Sequence, residues 1–262
     1  MRGKSVRQGF RRRATGRRRR FRPRWVAAIC IAIGAVVTLI AVLVANSGPT
    51  GPRALTSDEA NRLAITRFRN FQAGGRAVTI TVPTTAGGLV IAGSIDYRAK
   101  IGYGVVRGTG RDTAGDGLIQ WTATTVLVHP MPNPPGEAPA TPPEQNWYSR
   151  PLRTSGSSLD TGLAVALGLG SDRPDNAQLL PQNGASWTGQ DQVDGHQAEV
   201  MTGPTTGTKT GEAGVVRYWI GPDGTMYRVR ADVASQPDPV VIDFDTGKYV
   251  PVQPVPGLTP TR

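Results

Sequence analysis

The sequence predicts an α+β fold: a curved antiparallel β-sheet packed on one or two helices, preceded by a single transmembrane helix. Three observations carry this. Trp25 to Ala45 is a run of 21 residues without a charge, and it follows a strongly basic start. Residues 56–71 show one amphipathic helical pattern. From residue 77 onward the apolar period falls to two, in at least six separate segments.

The net charge of +11 belongs to one place. Residues 1–25 hold twelve of the 30 Lys and Arg and no acid, leaving 18 basic against 19 acidic residues in the rest. A nearly neutral remainder lacks the basic footprint of a nucleic-acid binder. As a helix, 25–45 would span roughly 32 Å, enough for a bilayer core. The basic residues, with the run Arg17–Arg20, place that end in the cytoplasm and suit anionic lipid heads. The segment is too long for the core of a cleaved signal, so it reads as an uncleaved signal-anchor rather than one cut at Ala45–Asn46. Cys30, the single cysteine, follows Ile29 inside this run, which suits a small buried hydrophobe and not a lipid attachment site. The expected partner is therefore the membrane, crossed once, and the expected location is the plasma membrane with the C-terminal domain outside. The organisation that follows is a tail at 1–24, an anchor at 25–45, a stalk at 46–55, a β-rich domain at 56–250 and a tail at 251–262.

Within the domain, Thr56 and Glu59 stand at capping-box spacing, and Ala60, Leu63, Ala64, Phe68 and Phe71 fall on one helical face until Gly74-Gly75 ends it. Val78, Ile80 and Val82 then alternate with small or polar residues, as do Leu89, Ile91, Ile95 and Tyr97. Ile101, Tyr103 and Val105 continue, and 117–128 reads as one long Thr-rich strand. Each such strand is expected to be covered on one side and wet on the other. Residues 129–145 hold seven prolines and read as an exposed loop or flap. Leu159–Leu169 suits a short helix weakened by Gly162 and Gly168. Trp187, His196, Ala198 and Val200 belong to further strands. The hairpin 215–233 turns at Gly221-Pro222-Asp223-Gly224, and Val240, Ile242 and Phe244 add a last strand.

No catalytic or metal chemistry emerges. His129 and His196 are isolated, short of a zinc ligand set, and Asp112 and Asp116 are too few for calcium. The paired triplets Asp160-Thr161-Gly162 and Asp245-Thr246-Gly247 echo an aspartic-protease pattern, but read better as a helix cap and a turn. Ser186 misses the nucleophile-elbow spacing. The expectation is a non-enzyme without cofactor or metal.

The order of these elements resembles the LolA-like fold, and more closely the actinobacterial LppX/LprG-type lipoproteins. The resemblance rests on the helix 57–71, the hairpins 78–128, Trp147, the stretch Asp160–Ala164, Gly195-His196-Gln197 and the hairpin 215–233. It implies a half-open barrel whose concave face holds acyl chains. It also implies a cup lined by Phe68, Phe71, Ile80, Ile91, Trp121, Leu163, Leu167, Tyr218 and Val229. The chain departs from that family in lacking the lipidated cysteine. The functional expectation is an anchored binding module for a lipid or lipid-modified ligand. The alternative is a non-catalytic cell-envelope interaction or assembly protein with a filled core.

Overall fold

The computed structural model describes residues 51–84, 87–110, 113, 115–204, 215–233 and 236–256. The tail 1–24, the apolar run 25–45 with Cys30, the stalk residues 46–50, Asp112 and residues 257–262 lie outside the described residues.

Twelve strands and three helices are formed among the described residues. In chain order they are β1 (Arg53–Ala54), α1 (Ser57–Gln72), β2 (Gly75–Val82), β3 (Leu89–Asp96), β4 (Ile101–Gly108), β5 (Gly117–Trp121), β6 (Thr125–Pro130), β7 (Tyr148–Pro151), α2 (Ser158–Gly168), α3 (Leu179–Gln182), β8 (Ser186–Val193), β9 (His196–Thr202), β10 (Val216–Ile220), β11 (Met226–Ala231) and β12 (Val240–Phe244). The strands make one sheet in the order β1-β8-β9-β10-β11-β12-β2-β3-β4-β5-β6-β7. Two meanders, β2–β7 and β8–β12, are thereby joined where β12 pairs antiparallel with β2, with Ile242 opposite Ile80 and Phe244 opposite Val78.

Helix α1 starts where its sequence says it should. The Thr56 hydroxyl accepts from Glu59 N at 3.3 Å, and Glu59 Oε2 accepts from Thr56 N at 2.8 Å, satisfying two helix-start donors at once. Arg53 on β1 grips the same carboxylate at 2.6 and 2.7 Å, and its guanidinium lies 4.4 Å from the centre of the Trp187 ring on β8. Edge strand, helix start and β8 are thus tied by one arginine.

The main apolar cluster lies between the inner face of the sheet and α2, which lies across the β12–β2 seam. Close approach here depends on two glycines. A Cβ on Gly102 would stand 2.1 Å from the Trp121 ring, and one on Gly162 would stand 3.0 Å from Val240. The first makes room for an indole in the sheet, the second lets α2 settle on the seam.

Two expectations are corrected. The sheet is not a half-open barrel on one or two helices but an open antiparallel sheet with ends at β1 and β7, accompanied by three helices. Closure would require these ends to pair, yet β1 has only two residues, and β7 has four and ends in Pro151. The second correction concerns the membrane. No helix among the described residues is long and apolar enough to cross one. The longest, α1, has 16 residues, about 24 Å of rise against a core of about 30 Å, and is polar along one face. On this finding the single-pass anchor, its signal-anchor reading, the membrane as partner and the plasma-membrane location are set aside.

Finer differences have local causes. The segment 117–128 is two strands, because the Thr122 hydroxyl accepts from the backbone of Thr124 and Thr125 at 3.4 and 3.2 Å and turns the chain. The strands are not wet on one side throughout: β5 is buried along its whole length, and β4 up to Val106.

The Arg53 guanidinium holds the Glu59 carboxyl at about 2, well below the about 4.3 of an unfolded chain. A depressed carboxylate stabilises the fold above the unfolded value, and that contribution drains away as pH falls from about 4.3 towards 2. The urea midpoint should therefore drop more steeply over that window in the native chain than in Glu59→Gln, and parallel curves would refute it.

Candidate functional site

The nine residues of the expected cup are mostly brought together, as a packed interior. Ile80 on β2, Ile91 on β3, Trp121 on β5, Leu163 on α2 and Val229 on β11 are all 0 % exposed. Phe71, Leu167 and Tyr218 are half-buried and pack against the same cluster, while Phe68 lies half-buried on α1. Zero exposure means that a water-sized sphere touches none of those five side chains. An acyl chain would have to part them first. Trp121 Nε1 also donates to Leu163 O at 3.1 Å, a buried bond fastening α2 to the sheet. Tyr218 borders a depression of about 240 Å³ between α1, α3 and β10 that is crossed by the Arg67–Asp175 ion pair. Burial pushes its phenol up from the ordinary tyrosine range.

The better-built concavity is on the other side of the sheet. Its floor is the outer face of β2–β4: Ala77, Thr79, Ala92, Ser94 and Tyr103. One wall is Gly136–Pro139 of the proline-rich segment, and the other is the chain beyond β12, from Thr246 to Pro251. The space between them is about 250 Å³.

Both walls are pinned. Beyond β12 the chain turns at Asp245, in the left-handed region at φ 57°, and Arg76 holds its carboxylate. Asp245 N donates to Ala77 O at 2.9 Å, Thr246 and Thr79 share a hydroxyl contact at 2.6 Å, and Val250 N donates to Ser94 Oγ at 3.0 Å. Further on, buried Gln120 uses both ends of its amide, donating to Gln253 O and accepting from Val255 N, each at 2.8 Å. The proline-rich segment is no free flap either. Trp147 Nε1 donates to Pro143 O at 2.7 Å, Arg107 donates to the carbonyls of Pro134 and Pro135, and Met131, Ala138 and Trp147 pack on Tyr103, Val105 and Leu118.

One polar atom of the floor is unspent. The Tyr103 hydroxyl is buried without a hydrogen-bond partner, and burial pushes its ionisation up to about 12. Ser94, Thr79 and Thr246 are engaged as above, and Glu137 and Lys248 are exposed at the rim. The two histidines are committed elsewhere. His129 lies against Gln145 O at 3.1 Å, and His196 stacks on Tyr227 with centroids 4.7 Å apart. The two Asp-Thr-Gly triplets do not share a proton: Arg150 clasps Asp160 at 2.6 and 2.7 Å, and Arg76 holds Asp245. Among the described residues no group of three or more His, Cys, Asp or Glu could hold a metal ion. The arrangement is suited to holding a group and offers no nucleophile with a base beside it.

Sequence reading missed this cleft because its floor is small residues, assigned to a wetted face, and its walls were taken for an exposed loop and a turn at Asp245-Thr246-Gly247. The available signal was Tyr103, large and apolar on a strand whose other face carries Gly102 and Gly104. No protein-family model matches the chain, and no curated protein matches it.

Two outcomes follow. Leu163→Ala should cost about 2–5 kcal/mol in urea unfolding, whereas a cup lined by Leu163 and open to a ligand would lose far less. Tyr103 favours the folded state below the unfolded tyrosine value of about 10, an advantage lost as pH rises from there towards 12. Tyr103→Phe should match the native chain at neutral pH and lose less stability between pH 10 and 12, as read from urea midpoints across that range.

Proposed function

We propose that this domain is a non-catalytic interaction module: its interior is a filled scaffold, and its outer cleft takes one apolar side chain from a partner polypeptide. The observation that carries the reading is the complete burial of Ile80, Ile91, Trp121, Leu163 and Val229, which supports a filled interior at these five positions. Size supports the choice of ligand. At about 250 Å³ the cleft falls below the roughly 300–1,000 Å³ of small-molecule pockets. A large side chain set in a pocket and ringed by weaker contacts is the usual anchor of a protein interface. A lipid-holding interior, by contrast, would need α2 to lift off the sheet against its packing and the Trp121–Leu163 bond.

The experiment is a displayed random-peptide selection on the full chain, run in parallel with Ala92→Phe, which fills the floor from the outer face. The native chain should enrich peptides sharing an apolar anchor residue, and Ala92→Phe should bind them at least tenfold more weakly with an unchanged melting temperature. Equal binding by both proteins would remove the cleft from the reading. An acyl lipid travelling with the folded chain in native mass spectrometry would overturn the filled interior itself.

A further inference from the structure

On the outer face of the sheet, away from the cleft, Arg217 of β10 stands directly opposite Arg230 of β11. Both are half-buried, and Arg230 Nε is buried with no hydrogen-bond partner. Their neighbours in the same cross-strand row are Thr202 on β9 and Val241 on β12, neither of which brings a negative charge. The Thr202 hydroxyl is already engaged with that of Ser186 at 2.6 Å. Several other arginines of the described chain do have a carboxylate partner. Arg53 has Glu59, Arg76 has Asp245, Arg150 has Asp160, and Arg228, two residues before Arg230 on the same strand, has Asp243. Asp232, two residues after Arg230 and on the same face, is in no ion pair with either arginine, nor is any other described carboxylate.

Like charges directly opposite in a β-ladder repel, and a buried donor without an acceptor is costly. Both penalties fall on one residue pair, whereas Arg62, whose Nε is likewise buried without a partner, has Glu199 to balance its charge. An anion placed between the two side chains would relieve both together. Guanidinium groups present rigid forks of N–H donors matched to the oxygens of phosphate, and two of them side by side are balanced by a dianion.

We propose that Arg217 and Arg230 form a binding site for a dianionic phosphate-type group. Each guanidinium donates to its oxygens, and Arg230 turns its buried, unpartnered Nε outward to supply one of the donors. The pair stands on the ladder between β10 and β11, so strand register holds the two side chains next to each other.

The test titrates inorganic phosphate against the full chain at pH 7.5, with thermal midpoint and isothermal calorimetry as readouts. Sodium acetate and sodium chloride at matched ionic strength are the comparison anions. The basic residues of 1–25 and any general salt effect act equally on native and substituted chains, so the difference between them is the signal. The double substitution Arg217→Gln/Arg230→Gln should weaken phosphate binding at least tenfold. In chloride alone its midpoint should be no lower than that of the native chain, because the repulsion is gone. Arg228→Gln should leave phosphate affinity within twofold. Should the double substitution fail to fold, Arg230→Lys keeps the charge without the buried Nε and should still weaken phosphate at least threefold. A phosphate response unchanged by these substitutions, or acetate acting on the native chain as strongly as phosphate, would overturn the proposal.

Discussion

A twelve-stranded sheet has two faces, and most of this structure follows from the need to remove apolar side chains on both of them from water. The inner face is served in the ordinary way, by α2 across the β12–β2 seam and α1 beside it. The outer face of β4 and β5 carries Tyr103, Val105 and Leu118, and no helix among the described residues covers them. Two segments without regular secondary structure do it instead. Such segments are awkward covers, because every backbone N–H they bury needs a partner. Proline lightens that demand, since it has no N–H and loses less backbone freedom on ordering. The seven prolines of 129–145 therefore suit a close-fitting strap as well as they suit a loop. The carbonyls of Pro134 and Pro135 are taken by Arg107, and that of Pro143 by Trp147 Nε1. The chain beyond β12 solves the same problem with side chains, Ser94 and Gln120 meeting the backbone of Val250, Gln253 and Val255.

The joint between the two meanders is braced by a single arginine in addition to the β12–β2 ladder. Arg76 on β2 donates to Asn70 of α1 at 2.8 Å and to the Met226 carbonyl of β11 at 3.1 Å, while holding Asp245 beyond β12. Its guanidinium also lies 5.0 Å from the centre of the Phe244 ring. Helix end, both strands flanking the seam and the turn that opens the cleft wall thus converge on one planar, multiply donating group, a role that a lysine with its point charge would not fill. The same residue that braces the β12–β2 seam also holds the turn by which the C-terminal segment leaves the sheet, so the cleft wall is tied to the joint between the meanders.

The regular parts of this architecture were legible in the sequence. The capping box at Thr56 and Glu59, the helix that follows, and the alternation in 78–97 and 216–231 all correspond to elements that formed. What periodicity could not say was whether an apolar face borders a void or a partner. Ile80, Ile91 and Val229 read identically in either case, and only the fit of α2 against them, made possible by Gly102 and Gly162, decides it. The cleft was hidden for a related reason. Ala77, Ala92 and Ser94 have side chains too small to register as a covered face, and the pieces that cover them, Gly136–Pro139 and Thr246–Pro251, are far from them in sequence. The break at Thr122 was missed because threonine favours strands by propensity, while here its hydroxyl caps a turn.

A rigid cleft of this size constrains the way binding can work. Its walls are already fastened by Asp245, Thr246, Val250, Trp147 and Arg107, so little ordering entropy remains to be lost when a group enters. The gain, however, is limited to what one buried side chain supplies, about 1.5–3 kcal/mol. Association of two macromolecules costs an estimated 4–15 kcal/mol in lost translation and rotation. One anchor residue alone therefore falls short of a stable complex, and a partner held here must also contact the surface around the opening. Glu137 and Lys248, of opposite charge and exposed at the rim, are placed to make such contacts. Exposed charges of this kind favour correct approach over tight retention. The cleft is thus best understood as the anchoring point of a broader docking surface, with selectivity for the inserted side chain set by its fixed shape.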